Sequence, residues 1–360
     1  MTEGSGASDD RIPVSLQIGQ VISAKFRIER VLGEGGMGVV VAATHLQLDE
    51  AVALKFLRGH SHSDPESLAR FMREARAAAK LKSEHVARVL DVDVTEDGLP
   101  YIVMEYLEGQ DLARTLLAEG RLPVETAAEY AIQACEGLAE AHARGIVHRD
   151  IKPENLFLVD RAQGWRLVKI LDFGVSKFAV SRDVANVTTR NMMGSPCYMS
   201  PEQLLSSATV DHRTDLWSLG ATLFELVSGK TAYDTKSALP VIVGTILGRE
   251  PPRLDHALPG VPPELAAVVA RCMSKDVDKR FANAAELAVS LLPFAPKRAR
   301  LAVERAVAVT QSSVISSRER PLPPVVSAPP GGAAADVAPI APTLPSGGTP
   351  PADAGKGAST

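Results

Sequence analysis

Apolar and polar residues alternate from Phe26 to Leu32, the period of a strand with one buried face. A glycine-rich stretch, Gly33 to Gly38, separates this run from Val39-Val40-Val41-Ala42, so the two predict a β-hairpin. A third strand is predicted over Glu50–Leu57. Ser63-Asp64-Pro65-Glu66 then combines a capping residue with a proline in the first turn, which are helix-start signals. Helical spacing predicts a helix from Ser67 to about Leu81, with Phe71, Ala75, Ala78 and Ala79 on one face and Glu74 on the adjoining surface. Two further strands, Val86–Val94 and Tyr101–Leu107, are separated by Glu96-Asp97-Gly98. Beyond them the period changes. Leu122-Pro123 opens a helix that carries Ala127, Tyr130, Ala131, Ala134, Leu138 and His142 at core spacing. Another apolar helix begins at Asp215, continues through Val227 and stops at Ser228-Gly229. Strands first and helices afterwards predict an α+β chain, with a β-rich part over 20–107 and a mainly helical part over 108–294.

Composition changes the picture at both ends. Met1 to Asp10 are small and acidic with no apolar core, so they are not a secretory signal, and residues 1–19 read as a flexible N-terminus. After residue 295, Ala, Pro, Gly and Ser dominate and aromatics vanish. Pro296-Lys297-Arg298-Ala299-Arg300 opens a basic stretch, and Leu301–Val309 has the pattern of a solvated or docking helix. From Ser312 onward the composition forbids a core, and Pro321–Pro351 reads as a disordered linker or a partner-binding tail. A net charge of -4 gives no argument for nucleic-acid binding. Three cysteines without C-x-x-C spacing point to a reducing, cytoplasmic setting, and no run of 18 apolar residues predicts a membrane span in this chain. A span beyond Thr360, in a longer protein, is left open.

Two polar loops hold the candidate chemistry. His148-Arg149-Asp150-Ile151-Lys152-Pro153-Glu154-Asn155 follows the apolar Ile146-Val147, and Asp172-Phe173-Gly174 follows Leu167–Leu171. An Asp and an Asn amide supply the oxygen ligands that a hard cation takes. Phosphoryl transfer needs oriented groups and metal on the phosphates, with little covalent chemistry. Other features admit two readings. Gly33, Gly35 and Gly38 in G-x-G-x-x-G suit an ordinary tight hairpin or a phosphate-binding loop. Lys55 is a snorkelling edge lysine or a phosphate-pairing cation. His60 and His62 form an H-x-H pair, read as a polar loop rather than a metal site.

In order and spacing, these parts resemble a eukaryotic-type serine/threonine protein kinase, most similar to the bacterial branch. The first polar run matches H-R-D-x-x-x-x-N, and the triplet matches D-F-G. The glycines with Val40 match G-x-G-x-x-G-x-V, and Val52-Ala53-Leu54-Lys55 departs from V-A-I-K at one position. The resemblance implies a two-lobed fold with ATP between the lobes. It implies that Asp150 orients the substrate hydroxyl or accepts its proton, and that Lys152 stabilises the transferring phosphate. Asn155 and Asp172 would bind Mg2+, with Mn2+ as a possible substitute, and Lys55 would pair with Glu74. Leu32, Gly33, Glu34, Gly35, Gly36, Met37, Gly38 and Val40 would roof the nucleotide. Ala53, the gatekeeper Met104, and the hinge residues Glu105 and Leu107 would complete its pocket. Asp215 would brace the catalytic loop, and Arg280 would pair with Glu202. His148 would support the loop rather than perform acid–base work.

The polar segment from Val175 to Ser200 contains Thr188, Thr189 and Ser195. Phosphate on Thr189, or second on Thr188, would meet Arg149. Ser195 stands where the family usually carries Thr, and Phe281 where it usually carries Pro. Expected partners are protein substrates, with a homodimer and a ligand for the Pro-rich tail as further possibilities. The rival readings are a non-catalytic kinase-fold scaffold and a small-molecule phosphotransferase.

Overall fold

The computed structural model describes residues 16–35, 38–57, 65–161, 164–173, 195–205 and 210–318. Its first lobe contains the strands β1 (Val21–Ile22), β2 (Phe26–Gly35), β3 (Gly38–His45), β4 (Glu50–Leu57), β5 (Val89–Val94) and β6 (Pro100–Glu105) and the helix α1 (Pro65–Ala78). The strands form one antiparallel sheet in the order β1-β2-β3-β4-β6-β5.

Side-chain alternation divides this sheet into two faces. Phe26, Ile28, Val39, Val41, Ala43, Val52, Leu54, Phe56, Tyr101 and Val103 are buried together on one. The intervening residues therefore share the other. Cross-strand register places Val40 opposite Lys55, Ala53 opposite Met104, and Lys55 opposite Ile102. A slip of one residue would move Lys55 into the apolar core, so burial of the first face fixes the second. Phe71 and Ala75 of α1 pack against Ile102 and Met104 on that second face.

The second lobe adds β7 (Gly109–Asp111), α2 (Leu112–Glu119), α3 (Val124–Ala143), β8 (Leu156–Asp160), β9 (Arg166–Ile170), α4 (Pro201–Leu205), α5 (Arg213–Ser228), α6 (Leu239–Gly248), α7 (Leu254–Ala257), α8 (Pro263–Cys272), α9 (Ala284–Leu291) and α10 (Arg300–Arg318). Strands β7, β8 and β9 form a small antiparallel sheet. Helices α3 and α5 are buried along most of their length. Gly229 ends α5 in the left-handed conformation, as the Ser228-Gly229 stop predicts.

Several boundaries differ from the sequence expectation. Helix α1 ends at Ala78, and Ala79 is exposed, because the chain turns to send Leu81 into the large-lobe core. Val86 is not part of β5. It makes an isolated parallel bridge to Ile170 and packs in the large-lobe core with Ala78 and Leu81. Helix α2 was not anticipated. Its start is capped by Asp111, whose carboxylate accepts the Arg114 amide at 2.8 Å. The helix expected over 301–309 runs from Arg300 to Arg318, and it is docked. Ala299, Ala302, Val303 and Ala306 are buried in the large-lobe core beside α3 and α9. Among the described residues no helix is long and apolar enough to cross a membrane, and the three cysteines are free.

Candidate active site

A loop of polar residues inside a lobe must have its backbone groups satisfied. Asp215, in the first turn of α5 and fully buried, does this for the catalytic loop. Its carboxylate accepts the amides of His148 at 2.9 Å and Arg149 at 2.7 Å, and lies 2.8 Å from His142 Nε2. Burial opposes ionisation of Asp215, but His142, His148 and the Arg149 amide outweigh it and hold the carboxyl below its ordinary range. Arg149 has φ of 69°, a strained value for a non-glycine residue that costs on the order of 1–3 kcal/mol. The bond from its amide to Asp215 keeps it there.

Within the loop, Asn155 Nδ2 donates to the Asp150 carbonyl at 2.7 Å and to Asp150 Oδ2 at 3.0 Å. Lys152 Nζ lies 3.0 Å from the same Oδ2. The predicted catalytic residues Asp150 and Lys152 and the predicted metal ligand Asn155 are therefore one cluster. His148 supports the loop, as expected. Its Nε2 lies 2.7 Å from the Leu171 carbonyl and its ring meets Phe173 edge-on at 4.8 Å, so the two polar loops are tied together.

Asp172 sits at the end of that tie. Its φ is 62°, and Oδ1 is 2.7 Å from Lys55 Nζ. Burial alone would raise the Asp172 pKa. The ammonium of Lys55, with smaller help from His148 and Lys152, lowers it instead. Lys55 is buried on β4, and Glu74 is half-buried on α1. Leu32, Val40, Met104, Glu105 and Leu107 are half-buried, Ala53 is buried, and Glu34 is exposed. Among the described residues, Gly33 has open space above it, with nothing within 4 Å of where a Cβ would stand. Gly35 faces Gly38 across the hairpin tip. Gly36, Met37, Gly174, Thr188 and Thr189 lie outside the described residues, as does the Ser195 side chain.

Other contacts at the site escape sequence reasoning. Lys169, buried on β9, reaches Glu105 Oε1 at 2.6 Å, and that oxygen also accepts the Arg88 amide at 2.7 Å. The only signal for Lys169 was a single cation in the apolar run Leu167–Leu171. Gln203 Nε2 donates to the Arg149 carbonyl at 2.8 Å. The Arg280–Glu202 pair forms as the resemblance implies, with two bonds of 2.7 and 2.8 Å, and Arg280 holds Glu202 below its ordinary range against the effect of burial. Burial pushes the Cys197 thiol up to about 11, which fits a small packing residue.

A family model described as the protein kinase domain matches residues 26–291. The chain belongs to the protein kinase family. It is 38% identical over 288 residues to the serine/threonine-protein kinase pkn3 of Myxococcus xanthus, covering 79% of this chain and 52% of that protein. With the serine/threonine-protein kinase PknB of Mycolicibacterium smegmatis it shares 36% identity over 291 residues, 77% of this chain and 45% of that one. The kinase fold is similar to the crystal structure of the Mycobacterium tuberculosis PknI kinase domain, with a TM-score of 0.62 and 27% identity over 78% of this chain and 99% of that one. This kinase chain spans about half the length of the two relatives.

Protein kinases use ATP and a divalent cation, and the residues present fit both. The two acceptors around Asn155 Nδ2 fix that amide so that Oδ1 is left as a ligand oxygen. Asp172 offers a second oxygen. Among the described residues no group of three or more His, Cys, Asp or Glu side chains could hold a metal alone. A pair of protein oxygens suits an ion that takes its remaining ligands from phosphates and water. Open space above Gly33 lets backbone approach a phosphate chain.

Proposed function

We propose that this chain transfers the γ-phosphoryl group of Mg-ATP to serine and threonine hydroxyls of proteins. The observation that carries the reading is the cluster of Asp150, Lys152 and Asn155 tied through His148 to the Lys55–Asp172 pair. Asp150 orients the substrate hydroxyl and takes its proton as the oxygen bonds to γ-phosphorus and the bond to the bridging oxygen breaks. Lys152 balances charge on the transferring group, and Lys55, paired with Glu74, holds the α- and β-phosphates. Asn155 and Asp172 hold Mg2+, with Mn2+ able to replace it, and the cation neutralises phosphate charge. The catalytic power is alignment and electrostatics. A soluble, cytoplasmic setting, a homodimer and a partner for the Pro-rich tail, which lies outside the described residues, belong to the same reading.

Activation-segment phosphorylation is the second element of this proposal. Arg149 Nε is buried with no hydrogen-bond partner among the described residues. A phosphate on Thr189 or Thr188 would supply one. The test is radiolabelled γ-phosphate transfer to the chain itself and to a generic basic protein, with site mapping, beside Asp150→Asn. Label on Thr or Ser that the variant abolishes is expected. Equal label in both, or label on small alcohols alone, would overturn the reading.

A further inference from the structure

Helix α10 lies beyond the residues that match the kinase family, yet it is built into the back of the domain. Arg298, just before it, bonds Glu129 of α3 twice, at 2.5 and 2.6 Å. Seven residues after Arg298, on α10, Arg305 Nη1 donates to Glu84 at 2.6 Å and lies 3.6 Å from Glu136 of α3. Burial opposes ionisation of Glu84, but the bond from Arg305 wins and keeps its carboxyl below the ordinary range. Residues 82–87 join α1 to β5, and they are clamped around Glu84 on every side. Glu140 of α3 accepts the Lys82 amide at 3.0 Å and also the Ser83 amide. His85 Nε2 is 3.3 Å from Glu136, and His85 Nδ1 is 2.9 Å from the Val168 carbonyl. The His85 carbonyl accepts the Ile170 amide at 2.8 Å, and the Ala87 amide donates to the Ile170 carbonyl at 2.9 Å. Gly137 of α3 lets this junction close, since a Cβ there would stand 3.0 Å from the His85 carbonyl oxygen. Ile170 is two residues before Asp172, and the other end of the segment leads back along α1 to Glu74.

We propose that Arg305 is a positioning residue, and that α10 is a strap which latches the 82–87 segment against α3 and so sets the place of β9 and Asp172. This rests on the kinase reading above for its effect on rate. The apolar side chains Ala302, Val303 and Ala306 dock the helix, and Arg305 sets its contact with the segment. Arg305 and Glu84 are 46% and 45% exposed, so the pair acts as a modest bias on position.

The experiment uses the full chain. Arg305→Ala should lower kcat by about two- to fivefold and leave KM for the protein substrate unchanged. Amides 82–87 should exchange hydrogen faster. Arg305→Lys should restore most of both, and Glu84→Gln added to Arg305→Ala should cost nothing more, because the two share one interaction. Arg300→Ala, which removes only an exposed pair with Glu304, should change neither readout. An unchanged kcat in Arg305→Ala, additive losses in the double variant, or unchanged exchange at 82–87 would overturn the proposal. If the parent transfers no phosphate, the kinase reading fails by itself. The exchange data then decide the latch, faster exchange upholding it and unchanged exchange ending it.

Discussion

The two sides of the site are held in different ways. Below, the catalytic loop is pinned from inside the large lobe. Asp215 takes two of its amides, and His148, Asn155 and Lys152 are each engaged with neighbours. Above, the glycine-rich hairpin has open space over Gly33 among the described residues, and Lys55 reaches across to Asp172 with an ion pair of 2.7 Å. The difference separates two tasks. On the proposed kinase reading, groups that would have to stay aligned during transfer are fixed by burial, and groups that would admit and release a nucleotide are left with room.

The largest break of this contrast comes from below. Asp215→Ala leaves two loop amides and His142 facing an empty position, and should destabilise the fold by about 3–5 kcal/mol in denaturant unfolding. The same carboxylate shapes the response to acid. Asp215 and Asp172 both have folded pKa values below the ordinary ones. The stability they confer is complete above about pH 4 and drains away as pH falls through the lowered values. Asp215→Ala should therefore flatten the acid limb of the stability curve.

A smaller effect is expected at the bridge between the two sides. Lys55→Met removes the partner of Asp172, for a loss of about 1–3 kcal/mol. It should also shrink the acid loss due to Asp172, because without the Lys55 ammonium its folded pKa rises back towards the ordinary value and the window between folded and unfolded values narrows. Thermal stabilisation by Mg-ATP should disappear. If it persisted in full, Lys55 would not be the phosphate ligand. The smallest structural effect belongs to the upper side. Gly33→Ala meets no neighbour among the described residues, so stability should stay within about 0.5 kcal/mol of the parent while KM for ATP rises. A large stability loss there would erase the contrast.

The site was legible in the sequence wherever its chemistry is contiguous. Asp150, Lys152 and Asn155 lie within six residues, and the apolar runs before them and before Asp172 mark both loops. Alternation in the small lobe was legible too, and register then brings Val40, Ala53, Lys55 and Met104 to one face. Pairing across distance was not. Lys169 and Glu105 are 64 positions apart, and Arg298 and Glu129 are 169 apart, so no local period links them. The tail helix looked amphipathic, but nothing local said that α3 would present Glu129 and Glu136 to it. Helix α2 has only eight residues, too few for a period to stand out. Val86 fitted a strand pattern because an apolar β-branched residue suits either a ladder or a single bridge.

That single bridge bears on how the chain acquires its fold. Ala78, Leu81 and Val86 precede the hinge in sequence but belong to the core that follows it, and Ile170 exchanges two backbone hydrogen bonds with His85 and Ala87. A fragment beginning at residue 108 would expose part of that core and leave both groups of Ile170 without those partners. Neither half is then a self-sufficient folding unit. Calorimetry should record one cooperative transition, and pieces cut at the hinge should regain structure only by finding each other again.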